Sequence, residues 1–308
     1  MEGTINLSLP TDEQGYYGRQ CPACELYFKV MPGTGIPNPP ASYCAYCGHA
    51  APFDEFFTHE QKQFIESAVV RAVSGQLMKS LKKFEGPLGP QNGFIRMSLS
   101  VRETPIPIRY YTERDLETEV ECSDCTLKYA IYGVFAYCPD CGSHNSEQVL
   151  AANIAVIEKI LAISESQEAE IANQLVTDSL VKAVSAFDAF GREAVRVATA
   201  SRTPGPLGCS FQNLVRARTA LSRELGFDLA AGLAPDEWSH AVRCFQKRHL
   251  AAHTLGVVDQ GYIDVTGDLS TPVGRKMKVN AEEVRSLLPV LKKLAEHLRA
   301  SFSTGGSQ

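Results

Sequence analysis

The 308-residue chain has no excess of positive charge; its formal net charge is −5. Residues 1–148 carry 12 lysines and arginines against 18 aspartates and glutamates, and residues 149–308 carry 18 against 17. Nucleic-acid binding through bulk charge needs a basic surface, so any contact with RNA must come from a local basic patch. No apolar run is long enough to cross a bilayer. The most apolar windows, such as AANIAVIEKILAI, are short and interrupted by charge. The first residues, MEGTINLSLPTDEQG, show neither the basic nor the apolar part of a secretory signal. The expectation is a cytoplasmic protein with no membrane partner. An apolar fraction of 44% against 21% charge excludes wholesale disorder.

Cysteine, by contrast, is plentiful and patterned. Eight of ten cysteines form four CxxC pairs: Cys21/Cys24, Cys44/Cys47, Cys122/Cys125 and Cys138/Cys141. In a reducing compartment such pairs point to metal rather than to disulfides. The pairs also repeat. Each opening pair has Leu two residues beyond it (Leu26, Leu127) and an aromatic two further on (Phe28, Tyr129). Each closing pair is preceded by Tyr (Tyr43, Tyr137) and followed by Gly (Gly48, Gly142). Two CxxC hairpins place four thiolates tetrahedrally around one zinc, so two structural Zn2+ ions are expected. A redox reading needs a flanking βαβ pattern, which is missing. His49 follows Gly48 as a bystander to a site that four thiolates already close. Cys209 and Cys244 lack partners and read as small core residues.

The units resemble zinc ribbons over residues 18–50 and 119–145. That resemblance implies a brace for the fold or a binding surface for protein or nucleic acid, without choosing between them. Between the ribbons, helical spacing at Phe57, Phe64, Val69, Val73, Leu77 and Leu81 predicts a helix, broken by GPLGPQNG. From Val149 onward strands nearly vanish. Helices are predicted through LAANIAVIEKILAI, the long segment ending at TPGPLG, SFQNLVRARTALSRELG, APDEWSHAVRCFQKRHLAAHTLG and NAEEVRSLLPVLKKLAEHL. The sequence thus predicts a multidomain chain: zinc ribbon 1 (15–55), a helical connector (56–90), zinc ribbon 2 (91–148), an all-α bundle (149–302) and a disordered tail (303–308).

One predicted helix carries QKRHLAAH, with Arg248, His249 and His253 close together. His249 and His253, four apart, share a helix face, whereas Arg248 and His253 lie roughly 140° apart. A second copy of the helix packed across the first would converge these groups, which favours a site composed at a two-fold interface. The competing reading is a helix end decorated with polar groups, since Gly256 follows closely and a terminal His complements the helix dipole.

The R-H-x-x-x-H spacing, late in a helical bundle and preceded by FDAFGREAVR, resembles the HEPN domain superfamily over residues 149–300. The resemblance implies an all-α HEPN-like domain acting as a metal-independent endoribonuclease and a homodimer. It would cut an RNA substrate through the 2′-hydroxyl, with a conditional toxin or antiphage defence effector as the usual setting. In that chemistry His253 moves the proton, Arg248 neutralises charge on phosphorus, and His249 orients the phosphate. Asp188 would support one of these groups, or else be a solvent-facing charge between Phe187 and Phe190. Arg216, Arg218 and Arg223 would line an RNA path or form a solvated helix face. A protein trigger or inhibitor is a further partner. The alternative function is a noncatalytic zinc-ribbon and helical scaffold that binds protein or nucleic acid.

Overall fold

The computed structural model describes residues 7–83, 85–88, 97–101, 106–199 and 209–303. They divide into two compact units, 1–144 and 145–308.

The first unit is built on β1 (Tyr17–Gln20), β2 (Tyr27–Val30), β3 (Ser42–Tyr43), β4 (Ala50–Ala51), a 3-10 turn (Phe53–Phe56), α1 (His59–Lys82), β5 (Gly86–Leu88), β6 (Met97–Leu99), β7 (Thr118–Glu121) and β8 (Lys128–Ile131). The two ribbons are joined: one antiparallel sheet runs β1-β2-β8-β7. Its central pairing sets Lys29 opposite Ala130. These two residues occupy equivalent places in the repeat, five beyond Cys24 and Cys125, so the ribbons are related by a local two-fold axis through that pair. The closing knuckles obey the same symmetry. The Tyr43 N–H donates to the Pro139 carbonyl and the Tyr137 N–H to the Ala45 carbonyl, both at 2.8 Å. A shared core of Phe28, Tyr129, Phe56, Ile131 and Ala45 lies among the cysteines.

All four knuckles use one turn. The N–H groups of Glu25, Gly48, Thr126 and Gly142 return to the carbonyls of Cys21, Cys44, Cys122 and Cys138. Each of the four has positive φ. Glu25 and Thr126 show that this backbone alone does not demand glycine. Gly48 and Gly142 are glycine because the ring of the other ribbon's tyrosine sits where a Cβ would be, 3.2 Å away for Tyr137 and 3.1 Å for Tyr43.

Helix α1 starts with a capping box. Thr58 Oγ accepts from the Gln61 N–H and Gln61 Oε1 from the Thr58 N–H, both at 3.1 Å. Gln61 Nε2 then donates to the Gly18 carbonyl (2.8 Å), fixing the helix to β1. Of the predicted apolar stripe only Phe64 is buried, together with Gln61 and Ala68. Phe57 precedes the helix, and Val69, Val73, Leu77 and Leu81 are exposed. Helical periodicity was right there, but burial does not follow from it. The helix ends at Lys82, just before the predicted breaker GPLGPQNG, and Gly86–Leu88 pairs with β6. Pro87 has no N–H to continue a helix. The breaker residues 89–93 and 203–208, and residues 304–308 of the expected tail, lie outside the described residues.

The second unit contains α2 (Ser146–Ser164), α3 (Ala169–Thr199), α4 (Leu214–Leu225), a 3-10 turn (Leu229–Gly232), α5 (Pro235–His253), α6 (Gln260–Thr266) and α7 (Ala281–Ser303). Its main core is one apolar cluster, beside a smaller one of Leu250, Val258, Tyr262 and Met277. At the centre Phe187 meets Phe190, Phe211 and Phe245 with ring centroids 5.9–6.2 Å apart. Gly191 admits Phe211, whose ring lies 2.6 Å from where a Cβ would be. Helix α5 begins on Pro235 with Asp236 and Glu237 in its first turn. Asn280 Oδ1 caps α7 by accepting from the Glu283 N–H at 2.7 Å. Cys209 and Cys244 are both buried, as small core residues should be.

Gly48→Ala and Gly142→Ala should each cost about 1–3 kcal/mol in urea unfolding, from left-handed backbone strain plus the tyrosine contact. Gly226→Ala, at a similar positive φ of 64° with open space around it, should cost less. Equal effects at all three positions would contradict the role given to the tyrosine rings.

Candidate functional site

The eight paired cysteines gather into two groups. Within each group the four Sγ atoms all lie within 4.8 Å of one another. The Sγ separations are 3.7 Å for Cys21–Cys47, 3.6 Å for Cys24–Cys44, 3.7 Å for Cys122–Cys141 and 3.4 Å for Cys125–Cys138. A tetrahedral ion with metal–sulfur bonds of about 2.3 Å needs edges of about 3.8 Å. A disulfide needs about 2.05 Å. The spacing therefore fits a metal ion. Backbone N–H groups support the sulfurs: Ala23 and Cys24 donate to Cys21 Sγ at 3.3 and 3.4 Å, and Tyr46 donates to Cys44 Sγ at 3.3 Å. Burial pushes the Cys44 and Cys138 thiols far above their usual range and Cys125 up to about 12. A divalent cation at the centre reverses that field, and coordinated thiols are deprotonated. His49 is exposed and belongs to neither group.

In the helical unit, α5 presents the arginine and two histidines. The rings of His249 and His253 lie side by side, centroids 4.6 Å apart and tilted by 49°, and both residues are exposed. Arg248 turns away from them, as the helix angle requires. Its Nη1 donates to Gln212 Oε1 at 3.2 Å, while its Nε is buried with no partner. Gln212 Nε2 donates in turn to Asp188 Oδ2 at 3.2 Å.

Asp188 is not the solvent-facing charge that its sequence position allowed. It is 6% exposed and accepts from the Phe211 N–H (2.6 Å), Ser210 Oγ (3.2 Å) and Arg192 Nε (3.1 Å). It anchors the turn entering α4 and reaches Arg248 only through the Gln212 amide. Arg192, one helical turn beyond Asp188, was detectable from its i,i+4 spacing. Ser210 and Gln212 had no sequence signal, because their role arises from the chain's return past α3.

Arg248 and His249 line a cavity of about 630 Å³ together with Arg216, Gln212, Asp259 and Tyr262. His253 is not in its wall. Of the three α4 arginines, Arg216 faces this cavity. Arg218 is bound to Asp228 (2.6 and 2.8 Å) and Arg223 to Glu224. Trp238 packs against the core, with the Arg218 guanidinium 5.4 Å from its ring. His240 is half-buried against Cys244, and burial lowers its pKa.

The fold and sites define a chain with a paired four-cysteine unit and a helical unit bearing an arginine–histidine cluster. Compared with known protein families, curated proteins and solved structures, the chain finds no match. No helix among the described residues is long and apolar enough to cross a membrane.

Elemental analysis of the purified chain should give two metal ions per molecule, and Cys138→Ser should give one. Because the ribbons share a sheet, that substitution should lower the melting temperature of the whole first unit. A value near zero for the unmodified chain, with all thiols freely reactive, would contradict the metal sites. Asp188→Ala should cost about 2–4 kcal/mol, because it leaves the buried Phe211 N–H without an acceptor. A loss under about 0.5 kcal/mol would remove Asp188 as the anchor of that turn.

Proposed function

We propose that the chain is an endoribonuclease whose helical unit cuts RNA through the 2′-hydroxyl without a catalytic metal, while two zinc ions brace the other unit. The observation that carries this reading is the arrangement on α5. A guanidinium held by the Asp188–Gln212 relay shares a cavity wall with His249, beside the exposed His253. The resemblance of R-H-x-x-x-H to HEPN domains supports the same chemistry. Zinc suits the closed four-thiolate sets, which leave no position for a substrate.

His253 takes the proton from the ribose 2′-hydroxyl. The 2′-oxygen then forms a bond to phosphorus and the bond to the 5′-oxygen breaks. Arg248 offers its guanidinium to the charge that gathers on the phosphoryl oxygens, and His249 holds the phosphate in line. The leaving 5′-oxygen takes a proton from an imidazolium, either from the same pair or from a second copy of the helix. A homodimer suits this role. Leu255 and Leu269, 83% and 78% exposed, follow α5 and α6 and leave apolar surface for a partner copy. Such an enzyme fits a conditional toxin or defence effector that a protein partner restrains or triggers.

A second reading, a noncatalytic scaffold, draws on the exposed Val69, Val73, Leu77 and Leu81 stripe of α1.

The test is incubation with labelled single-stranded RNA in the presence of a chelator. Arg248→Ala and His253→Ala should each slow cleavage by about 10²-fold or more, and His249→Ala by less. Each variant must keep its zinc and its oligomeric state. If both folded variants cut RNA as fast as the parent, the activity lies elsewhere and the scaffold reading stands.

A further inference from the structure

The first unit holds a cavity of about 590 Å³ that the metal sites do not use. Cross-strand pairing places Arg19 opposite Phe28 and Tyr17 opposite Val30 on one face of the sheet, and this face is the floor. The walls are the Gly/Pro-rich loop after β2, the 3-10 turn through Phe53 and Phe56, and Leu127 with Asp140 from the second ribbon. The near-symmetric repeat is broken here. Leu26 is 49% exposed, while its counterpart Leu127 is 3% exposed under the loop, 2.9 Å from where a Gly35 Cβ would be.

Arg19 is the feature that needs a ligand. It is 2% exposed, and among the described residues it has no carboxylate partner. Its Nη2 donates to Tyr17 Oη at 2.9 Å, while Nη1 is buried with no acceptor. The guanidinium lies 3.6 Å from the centroid of Phe53 and 4.3 Å from that of Tyr17. Glu113 is the nearby acid, and it is held by Tyr27 Oη at 2.5 Å and Gln61 Nε2 at 3.4 Å. A buried, incompletely bonded cation is costly, and an anion brought by a ligand removes that cost. Phe53, 44% exposed, covers the guanidinium.

The rest of the lining narrows the chemistry. Arg19 and Asp140 are its only charged residues among those described. Asp140 already accepts from the Ile36 N–H at 2.9 Å. With one cation in a mostly apolar lining and its one acid already bonded, the cavity suits a single negative charge on an apolar body and disfavours a dianion. The volume falls within the usual range for small-molecule sites, about 300–1,000 Å³. We propose that this cavity binds a small organic monocarboxylate, its carboxylate accepting from Arg19 Nη1 and its apolar body lying against Val30, Met31 and Phe56. This site stands independently of the ribonuclease reading and gives the ribbon unit a signal to sense.

The test measures thermal stability and ligand-observed NMR on the full, metal-loaded chain. The probes are hexanoate, phenylacetate and indole-3-acetate, with phenyl phosphate and benzyl alcohol as controls. At least one carboxylate should bind and raise the melting temperature of the first unit by about 3 °C or more at saturation. Arg19→Met should retain two metal ions and a melting temperature at or above the parent's, and lose at least about tenfold in affinity. Met31→Trp fills the chamber while keeping Arg19, and should also abolish binding, which covers the case in which Arg19→Met fails to fold. No binding by any of the three carboxylates would overturn the proposal. So would equal binding of benzyl alcohol or phenyl phosphate, or unchanged binding to either variant.

Discussion

Four thiolates can share a volume a few ångströms across only when a cation neutralises them, and the first unit is arranged around two such volumes. A structural zinc can supply about 10–16 kcal/mol of folding free energy, more than a core of this size provides alone. Here the two centres are coupled. The Tyr43–Pro139 and Tyr137–Ala45 hydrogen bonds run from the knuckle of each cluster to the knuckle of the other, and β2 pairs with β8 between them. A metal ion held in either centre would therefore brace the fold of both ribbons. The glycines after the closing knuckles follow from this coupling, because each lies under the other ribbon's tyrosine.

The helical unit is organised differently, around one buried carboxylate instead of a metal. Asp188 sits on α3 among the phenylalanines of the core and gathers the N–H of Phe211, the Ser210 hydroxyl and the Gln212 amide. Its polar contacts fix the turn before α4, and that turn fixes Arg248. The arginine is thus preorganised from a distance, while the two histidines remain exposed on α5. In the proposed ribonuclease this arrangement would hold the electrostatic group in place and leave the two imidazoles open to a substrate.

The cysteine groups were readable in the sequence because four-ligand geometry constrains local spacing, and each CxxC turn is a local structure. Helices α2, α3, α4, α5 and α7 were readable through their apolar periodicity, whereas the seven-residue α6 is too short to show one and was read as loop. On α1 periodicity located the helix but not its burial: Val69, Val73, Leu77 and Leu81 repeat as a core stripe but are exposed, because burial depends on what packs against a face. The joining of the ribbons into one sheet was not readable, since Lys29 and Ala130 are about a hundred residues apart and their pairing leaves no local mark. Gln212 was hidden for the same reason. Asp188 showed itself only as a charge between two phenylalanines, and its burial is a tertiary fact.

The proposed chemistry makes a direct statement about covalent products. A short RNA that the protein cuts once, incubated with chelator and analysed by mass spectrometry, should yield a 5′ fragment ending in a 2′,3′-cyclic phosphate. The 3′ fragment should begin with a 5′-hydroxyl. A single 2′-deoxynucleotide at the scissile position should abolish the cut. Products ending in a 3′-hydroxyl and a 5′-phosphate, or cleavage that persists at the deoxy position, would show that water and not the 2′-oxygen attacks phosphorus, and would contradict the roles given to Arg248 and His253.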